Sequence, residues 1–325
     1  MTLKILAEWR TMKGATQLAG SPQSDCRRKH NQISSNNSQM KDSANQALPL
    51  RDGRRLSYAE YGDLTGIPLF YFHGMPGSRK ECPFDESYLQ KLNIRLIAPE
   101  RPGYGLSDFQ QNRCILDWPD DVAQLADSLG LDRFAVLGYS GGGSYTLACA
   151  HQLKERVTNT GLIACVAPLN TPEMWDAVSP AFRGMYELAA KDPSQLEQQL
   201  ASAAESPEAV LAMVEEAVSI PDKALFIHPE FRDKLLANLS ESLHQGAKAV
   251  VWDLHLAALS WGFDLVDIQQ SVQLWHGTDD LNAAVAMGRY LANNLPHCHA
   301  QFMENEGHYS LLNHMEVILQ KLMQQ

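Results

Sequence analysis

The chain has no run of about 18 apolar residues, the length that spans a bilayer, so no membrane span is expected. It has no cysteine framework either. Cys26, Cys82, Cys114, Cys149, Cys165 and Cys298 are scattered, and Cys149 and Cys165 fall in apolar segments. Free thiols in a reducing cytoplasm are the expectation. Positive charge is in deficit: 27 Lys and Arg face 38 Asp and Glu, a net charge of −11, which argues against a nucleic-acid partner. No internal repeat is visible. Residues 1–48 lack apolar periodicity beyond Leu3 to Leu6, and they lack the apolar core of a secretory signal. They hold seven Lys and Arg against three Asp and Glu, leaving the remainder of the chain at −15. Such a polar segment buries too little surface to offset its ordering entropy, so a disordered N-terminal extension is expected. A basic transit peptide is the alternative.

What is present begins near residue 49. At 325 residues and 45% hydrophobic content, the chain can bury a large core in one large domain or two. Strand-like runs alternate with helix-like ones, the pattern of a mostly parallel α/β sheet. The strand-like runs are Arg55 to Tyr61, Pro68 to Phe72, Ile94 to Ala98, Phe134 to Leu137 and Thr160 to Val166. Between residues 171 and 260 the alternation stops and helical spacing takes over. Val210, Met213, Val214 and Ala217 share one face, as do Phe231, Leu235, Leu239 and Leu243. Asp192-Pro193, Ser206-Pro207 and His228-Pro229 read as helix starts. Strands resume with Val272 to Trp275 and His299 to Phe302. The expected organisation is a core of residues 49–170 and 266–325, interrupted by a helical cap over 171–265.

The chemistry concentrates where strands end. Gly138-Tyr139-Ser140-Gly141-Gly142 lies between a buried strand and a helix, the setting of a nucleophile elbow. The turn is tight enough to strain the serine and to require small neighbours. A serine hydroxyl needs a base, and the base an orienting acid, in the chain order Ser, acid, His. The turns His276-Gly277-Thr278-Asp279-Asp280 and Glu306-Gly307-His308 supply both. Ser140, Asp280 and His308 would then stand at one rim of the sheet, at the carboxyl ends of three strands. Upstream, His73-Gly74-Met75-Pro76-Gly77-Ser78 forms a glycine-rich turn that can aim the Met75 N–H at a developing oxyanion. The Gly141 N–H is its expected partner.

These motifs resemble the α/β-hydrolase superfamily, in the branch that carries a helical cap. The likeness runs from about Leu50 to the C-terminus. It includes His73-Gly74, Arg101-Pro102-Gly103-Tyr104-Gly105-Leu106-Ser107-Asp108, the elbow, His276-Gly277-x-x-Asp280 and Gly307-His308. It implies an eight-stranded sheet with helices on both faces, a cap inserted after the sixth strand, and hydrolysis without a cofactor. It also places the triad acid four residues after His276, at Asp280 rather than Asp279. The residues that follow, Leu281-Asn282-Ala283, depart from the valine and proline that relatives often carry there.

Several residues have two readings. His73, with Gly74, is expected to brace its loop rather than shuttle protons. His297 and His299 invite a metal reading, but two ligands do not make a site. Glu306 is read as a solvated turn carboxylate. Trp175, Phe182, Met185, Trp252 and Trp261 either line an acyl pocket or pack the cap. The expected activity is a cytoplasmic serine hydrolase, a carboxylesterase for small uncharged esters. The alternatives are an aminopeptidase like the proline iminopeptidases, with Glu173, Asp176 or Glu187 holding a free amine, and a non-catalytic ligand-binding homologue.

Overall fold

The computed structural model describes residues 45–324. Most of the expected N-terminal extension lies outside the described residues. Eight strands build one sheet: β1 (Gln46–Pro49), β2 (Arg55–Gly62), β3 (Ile67–Phe72), β4 (Ile94–Pro99), β5 (Phe134–Tyr139), β6 (Val157–Ile163), β7 (Val272–Gly277) and β8 (Cys298–Met303). Their spatial order is β1-β2-β4-β3-β5-β6-β7-β8. β2 runs antiparallel to both β1 and β4, and every other pairing is parallel. Central strands covered on both faces should be apolar throughout, and β5 is buried at every residue.

The pleat sends successive side chains of β3 to opposite layers. Phe70 and Phe72 join one cluster, in which Phe72 meets Trp118 edge-on with ring centroids 5.5 Å apart. Leu69 and Tyr71 join the other, with Ile318, Leu319 and Leu322. Helices α1 (Glu86–Lys91), α2 (Trp118–Ser128) and α3 (Gly142–Gln152) connect the first strands, and α11 (Val285–Asn294) and α12 (Met315–Met323) follow β7 and β8.

Between β6 and β7 lie seven helices among the described residues: α4 (Pro172–Ala177), α5 (Pro180–Lys191), α6 (Pro193–Ala204), α7 (Pro207–Ala217), α8 (Ile220–Phe226), α9 (Pro229–Ser242) and α10 (Lys248–Ala258). Thr171, Ser179, Asp192 and Ser206 each cap a helix through the side chain, with proline next in sequence. That arrangement satisfies amides the helix leaves unpaired and fixes the entering backbone. α7, α8 and α9 share a small core of Leu211, Val218, Phe226 and Leu239, against which Tyr309 packs from the loop after β8. No helix among the described residues is long and apolar enough to cross a membrane.

One boundary differs from the sequence reading. Residues 46–48, assigned to the disordered extension, pair with Tyr58, Ser57 and Leu56 as part of edge strand β1. A four-residue strand packing only Leu48 against the core shows no readable periodicity. Its order comes from the ladder to β2, the adjoining strand in sequence, rather than from a hydrophobic pattern of its own.

Candidate active site

β5 ends at Tyr139 and α3 begins at Gly142, leaving two residues to turn the chain. Ser140 carries φ +53°, a left-handed conformation that costs a non-glycine residue on the order of 1–3 kcal/mol. The turn is pinned by Ser140 N–H donating to Ile163 O at 2.9 Å and Gly143 N–H donating to Ser140 O at 3.1 Å. Two glycines make it possible. A Cβ at Gly138 would stand 2.2 Å from Thr146 Oγ1, and one at Gly142 would stand 2.1 Å from the Phe72 carbonyl oxygen. Ser140 itself stays partly exposed.

The loops after β7 and β8 bring Asp280 and His308 together. Asp280 Oδ2 accepts from His308 Nδ1 at 2.8 Å, and both side chains are buried. Oδ1 accepts from the Asn282 and Ala283 amides, each at 2.8 Å. Asn282 and Ala283, in the stretch after the acid, thus hold the carboxylate through two backbone N–H groups, and a proline at either position would remove one of them. With Nδ1–H committed to Asp280, the lone pair of His308 resides on Nε2. Burial disfavours the imidazolium, but Asp280 outweighs it through charge and hydrogen bond, with Asp222 and Glu81 adding to the effect, so the His308 pKa is raised. The His308 ring lies 5.0 Å from that of Tyr139, the residue before Ser140, and Tyr139 OH donates to His308 O at 3.2 Å.

Asp279 is exposed, with its backbone N–H donating to Glu306 O at 2.9 Å. Glu306, expected to be solvated, instead pairs with His314 Nε2 at 2.7 Å. His297 and His299 are exposed on either side of half-buried Cys298. Among the residues with two readings, Trp175, Phe182, Met185 and Trp252 pack against the main core, and Trp261 is buried within it.

The turn after β3 lies against the elbow. A Cβ at Gly141 would meet Met75 Cβ at 3.0 Å and Met75 N at 3.6 Å, so the two backbones run side by side. The flanking peptide is gripped at both ends. Gly74 N–H donates to Glu81 Oε1 at 2.7 Å, while Gly74 O accepts from Arg101 at 2.7 Å and from His73 Nδ1 at 2.9 Å. Arg101 also donates to His73 O at 2.5 Å, and its backbone N–H donates to His73 Nε2 at 3.2 Å. Burial, then the adjacent Arg101 charge, pushes the His73 pKa well down, so the ring is neutral and braces the loop.

A family model described as the alpha/beta hydrolase fold matches residues 67–314. The chain belongs to this family. Among curated α/β-hydrolase relatives, a non-heme chloroperoxidase from Streptomyces lividans is 30% identical over 120 residues, which is 36% of this chain and 44% of that protein. A bifunctional esterase/perhydrolase from Acinetobacter calcoaceticus is 29% identical over 121 residues, 37% of this chain and 44% of that protein. These matches thus span less than half the length of the curated relatives. Among solved structures, a thermophilic esterase from Thermogutta terrifontis superposes with a TM-score of 0.64 at 19% identity, covering 85% of this chain and 96% of that one. A hydrolase from Pseudomonas aeruginosa gives 0.63 at 18% identity, covering 87% and 100%.

Three residues around the α/β-hydrolase site carry no reading from sequence. Glu81 sits beneath the β3 turn, where Tyr71 OH and Asn238 of α9 also donate to it, at 3.1 Å each. Burial pushes its carboxyl up to about 7, against the pull of those donors. Arg101 lies in a recognised motif that assigns it no partner, and its carboxylate is Asp253 of α10, 152 residues away. Asp253 also accepts from Tyr104 OH at 2.9 Å, from Tyr145 OH at 2.6 Å, and from Arg113. No local pattern announces a pairing at that separation.

Proposed function

We propose that this α/β-hydrolase is a serine carboxylesterase that cleaves small uncharged esters through Ser140, His308 and Asp280. The observation that carries the reading is the buried His308–Asp280 pair, 2.8 Å apart, with its imidazole 5.0 Å from the ring of Tyr139, the residue before a serine held at φ +53°. Ser140 Oγ attacks the acyl carbon as His308 Nε2 takes its proton. The Met75 and Gly141 N–H groups receive the oxyanion. Collapse expels the alcohol, protonated by His308, and water activated by the same imidazole hydrolyses the acyl-enzyme. Asp280 keeps Nδ1–H in place and stabilises the transient imidazolium. None of these steps needs a metal or cofactor. The helices between β6 and β7 act as the cap that limits substrate size, and the acidic body disfavours anionic esters. A relative named as a bifunctional esterase/perhydrolase is in keeping with this chemistry.

The aminopeptidase alternative has a relative, a proline iminopeptidase from Neisseria gonorrhoeae, 25% identical over 115 residues. It needs an enclosed carboxylate for the substrate amine, whereas Glu173, Asp176 and Glu187 are all exposed. Fluorophosphonate labelling combined with kcat/KM tests the proposal. Wild type should label and prefer nitrophenyl butyrate over prolyl-nitroanilide, while Ser140→Ala should lose labelling and about 10³-fold or more of kcat. Labelling that survives Ser140→Ala rejects the mechanism. A preference for the anilide favours the aminopeptidase, and no turnover of any ester would point to a ligand-binding role.

A further inference from the structure

The histidine loop is held by a residue from the helical insertion. Asp222, in the first turn of α8, is fully buried. Its Oδ2 accepts from His308 N–H at 3.0 Å and from Ser219 Oγ at 2.8 Å. Its Oδ1 accepts from the N–H groups of Tyr309 and Ser310, each at 2.8 Å. Three consecutive amides of one loop thus converge on one carboxylate that lies 86 residues from His308 in sequence. Hydrogen bonds to an ionised acceptor are about twice as strong as neutral ones. The fit leaves no slack: a Cβ at Gly307 would stand 2.2 Å from Ser219 Oγ and 2.4 Å from each Asp222 oxygen.

The other anchors of this loop spare the His308 amide, and one lies within the loop itself, where Gly307 N–H donates to Ser310 Oγ at 2.7 Å. Tyr139 OH holds His308 O, and Thr278 N–H and Asp279 N–H hold Met303 O and Glu306 O. The amide side of His308 depends on Asp222. We infer that Asp222 is a positioning residue for catalysis, fixing the His308 imidazole between Asp280 and Ser140 through the backbone of its loop. The alignment of the triad then depends on the seating of α8. This inference rests on the Ser-His-Asp reading given above.

The carboxylate also acts on His308 through its charge. The titratable groups around the imidazole are Asp280 and His276 from β7 and its loop, Glu81 beneath the β3 turn, Tyr139 from β5, Tyr309 in the same loop, and Asp222. Asp222, like Asp280 and Glu81, favours the imidazolium. Removing its charge lowers the pKa of the base and extends activity to lower pH. Gly307→Ala, which keeps every charge, should leave that limb where it is, so the limb reports the charge of Asp222 and the loss of kcat reports its positioning role.

The experiment uses the full chain as wild type, Asp222→Asn, Gly307→Ala and Ser140→Ala. It measures kcat and KM for nitrophenyl butyrate across pH, together with the fluorophosphonate labelling rate. Asparagine keeps the shape of Asp222 but offers one acceptor oxygen and turns an NH2 toward a backbone donor. A displacement of roughly 1 Å costs on the order of 10²-fold in rate, so kcat and the labelling rate should fall by about that factor in Asp222→Asn. KM should stay nearly constant, and the acid limb of kcat/KM should move to lower pH. Gly307→Ala wedges α8 from the loop while keeping every charge, and should reproduce the loss of kcat. A folded Asp222→Asn with wild-type kcat, labelling and acid limb overturns the inference. If that variant does not fold, wild-type kinetics in Gly307→Ala overturn it instead. Turnover that survives Ser140→Ala rejects the triad and this inference together, whereas Ser140-dependent labelling that ignores Asp222→Asn rejects this inference alone.

Discussion

Asp253→Asn removes the only carboxylate that the described structure shows between two buried guanidinium groups. Arg101, Arg113 and Asp253 have side chains 0%, 2% and 3% exposed, and Tyr104 and Tyr145 close the site around them. Deleting one partner of a buried ion pair costs about 3–5 kcal/mol, because the remaining charge stays desolvated. At roughly 2 °C per kcal/mol for a domain of this size, Tm should fall by about 6–10 °C. The exposed pair Arg232–Glu215, each side chain 38% accessible, supplies the contrast. Glu215→Gln should cost under about 1 kcal/mol. The pH dependence adds a second readout. Burial alone would raise the Asp253 pKa, but Arg101, Arg113 and Tyr145 outweigh it and hold the carboxyl far below the usual carboxylate range. A depressed folded-state pKa gives stability that is complete above the unfolded value, near about 4, and is lost as pH falls toward the folded pKa. The gap in Tm between wild type and Asp253→Asn should therefore be widest near neutral pH and narrow below about pH 4. Differential scanning calorimetry at neutral and acidic pH measures both. A loss no larger than that of Glu215→Gln, or a gap that ignores acid, refutes the reasoning.

Two further outcomes follow from the geometry. Asp280→Asn should lower kcat by about 10⁴-fold by breaking the tautomer of His308, whereas exposed Asp279→Asn should leave steady-state kinetics unchanged; the reverse ranking would shift the acid by one position. Deleting residues 1–44 should preserve both Tm and ester turnover, since β1 begins at Gln46 and Asn45 contacts Arg79, so a loss of either property would assign that segment a packing role.

The sequence was most informative where backbone geometry restricts residue type. Gly138 and Gly142 flank Ser140 because a side chain at either position would collide with Thr146 or the Phe72 carbonyl, so the elbow was legible from five residues. The central strands were legible because β5 is buried on both faces and reads as one apolar run. Legibility failed where an interaction joins distant segments through unexceptional residues. Ser219-Ile220-Pro221-Asp222 reads as an ordinary helix start, and its first-turn aspartate looks like a dipole partner. Only the fold brings it to three amides of the histidine loop. Asp253 likewise sits in a helix whose neighbours give no sign of two arginines.

Asn238 repeats the arrangement from α9. It accepts from Ser78 Oγ at 2.8 Å and donates to Glu81, the carboxyl that holds the Gly74 amide. α8, α9 and α10 thus each send polar side chains to the loops at the sheet rim, α9 contributing Glu241 to Arg79 and Lys80 as well as Asn238. Apolar packing between the insertion and the sheet can slide at little cost because it is non-directional. Directional bonds from buried carboxylates and an amide cannot slide, since each lost partner leaves a desolvated group. The helices between β6 and β7 therefore brace loops of the sheet rim, a physical role separate from the cap role proposed for them. On the proposed triad these bonds would set the angles at which the Gly74 and His308 loops meet Ser140, and a substitution that loosens one of them should lower kcat before it lowers substrate affinity.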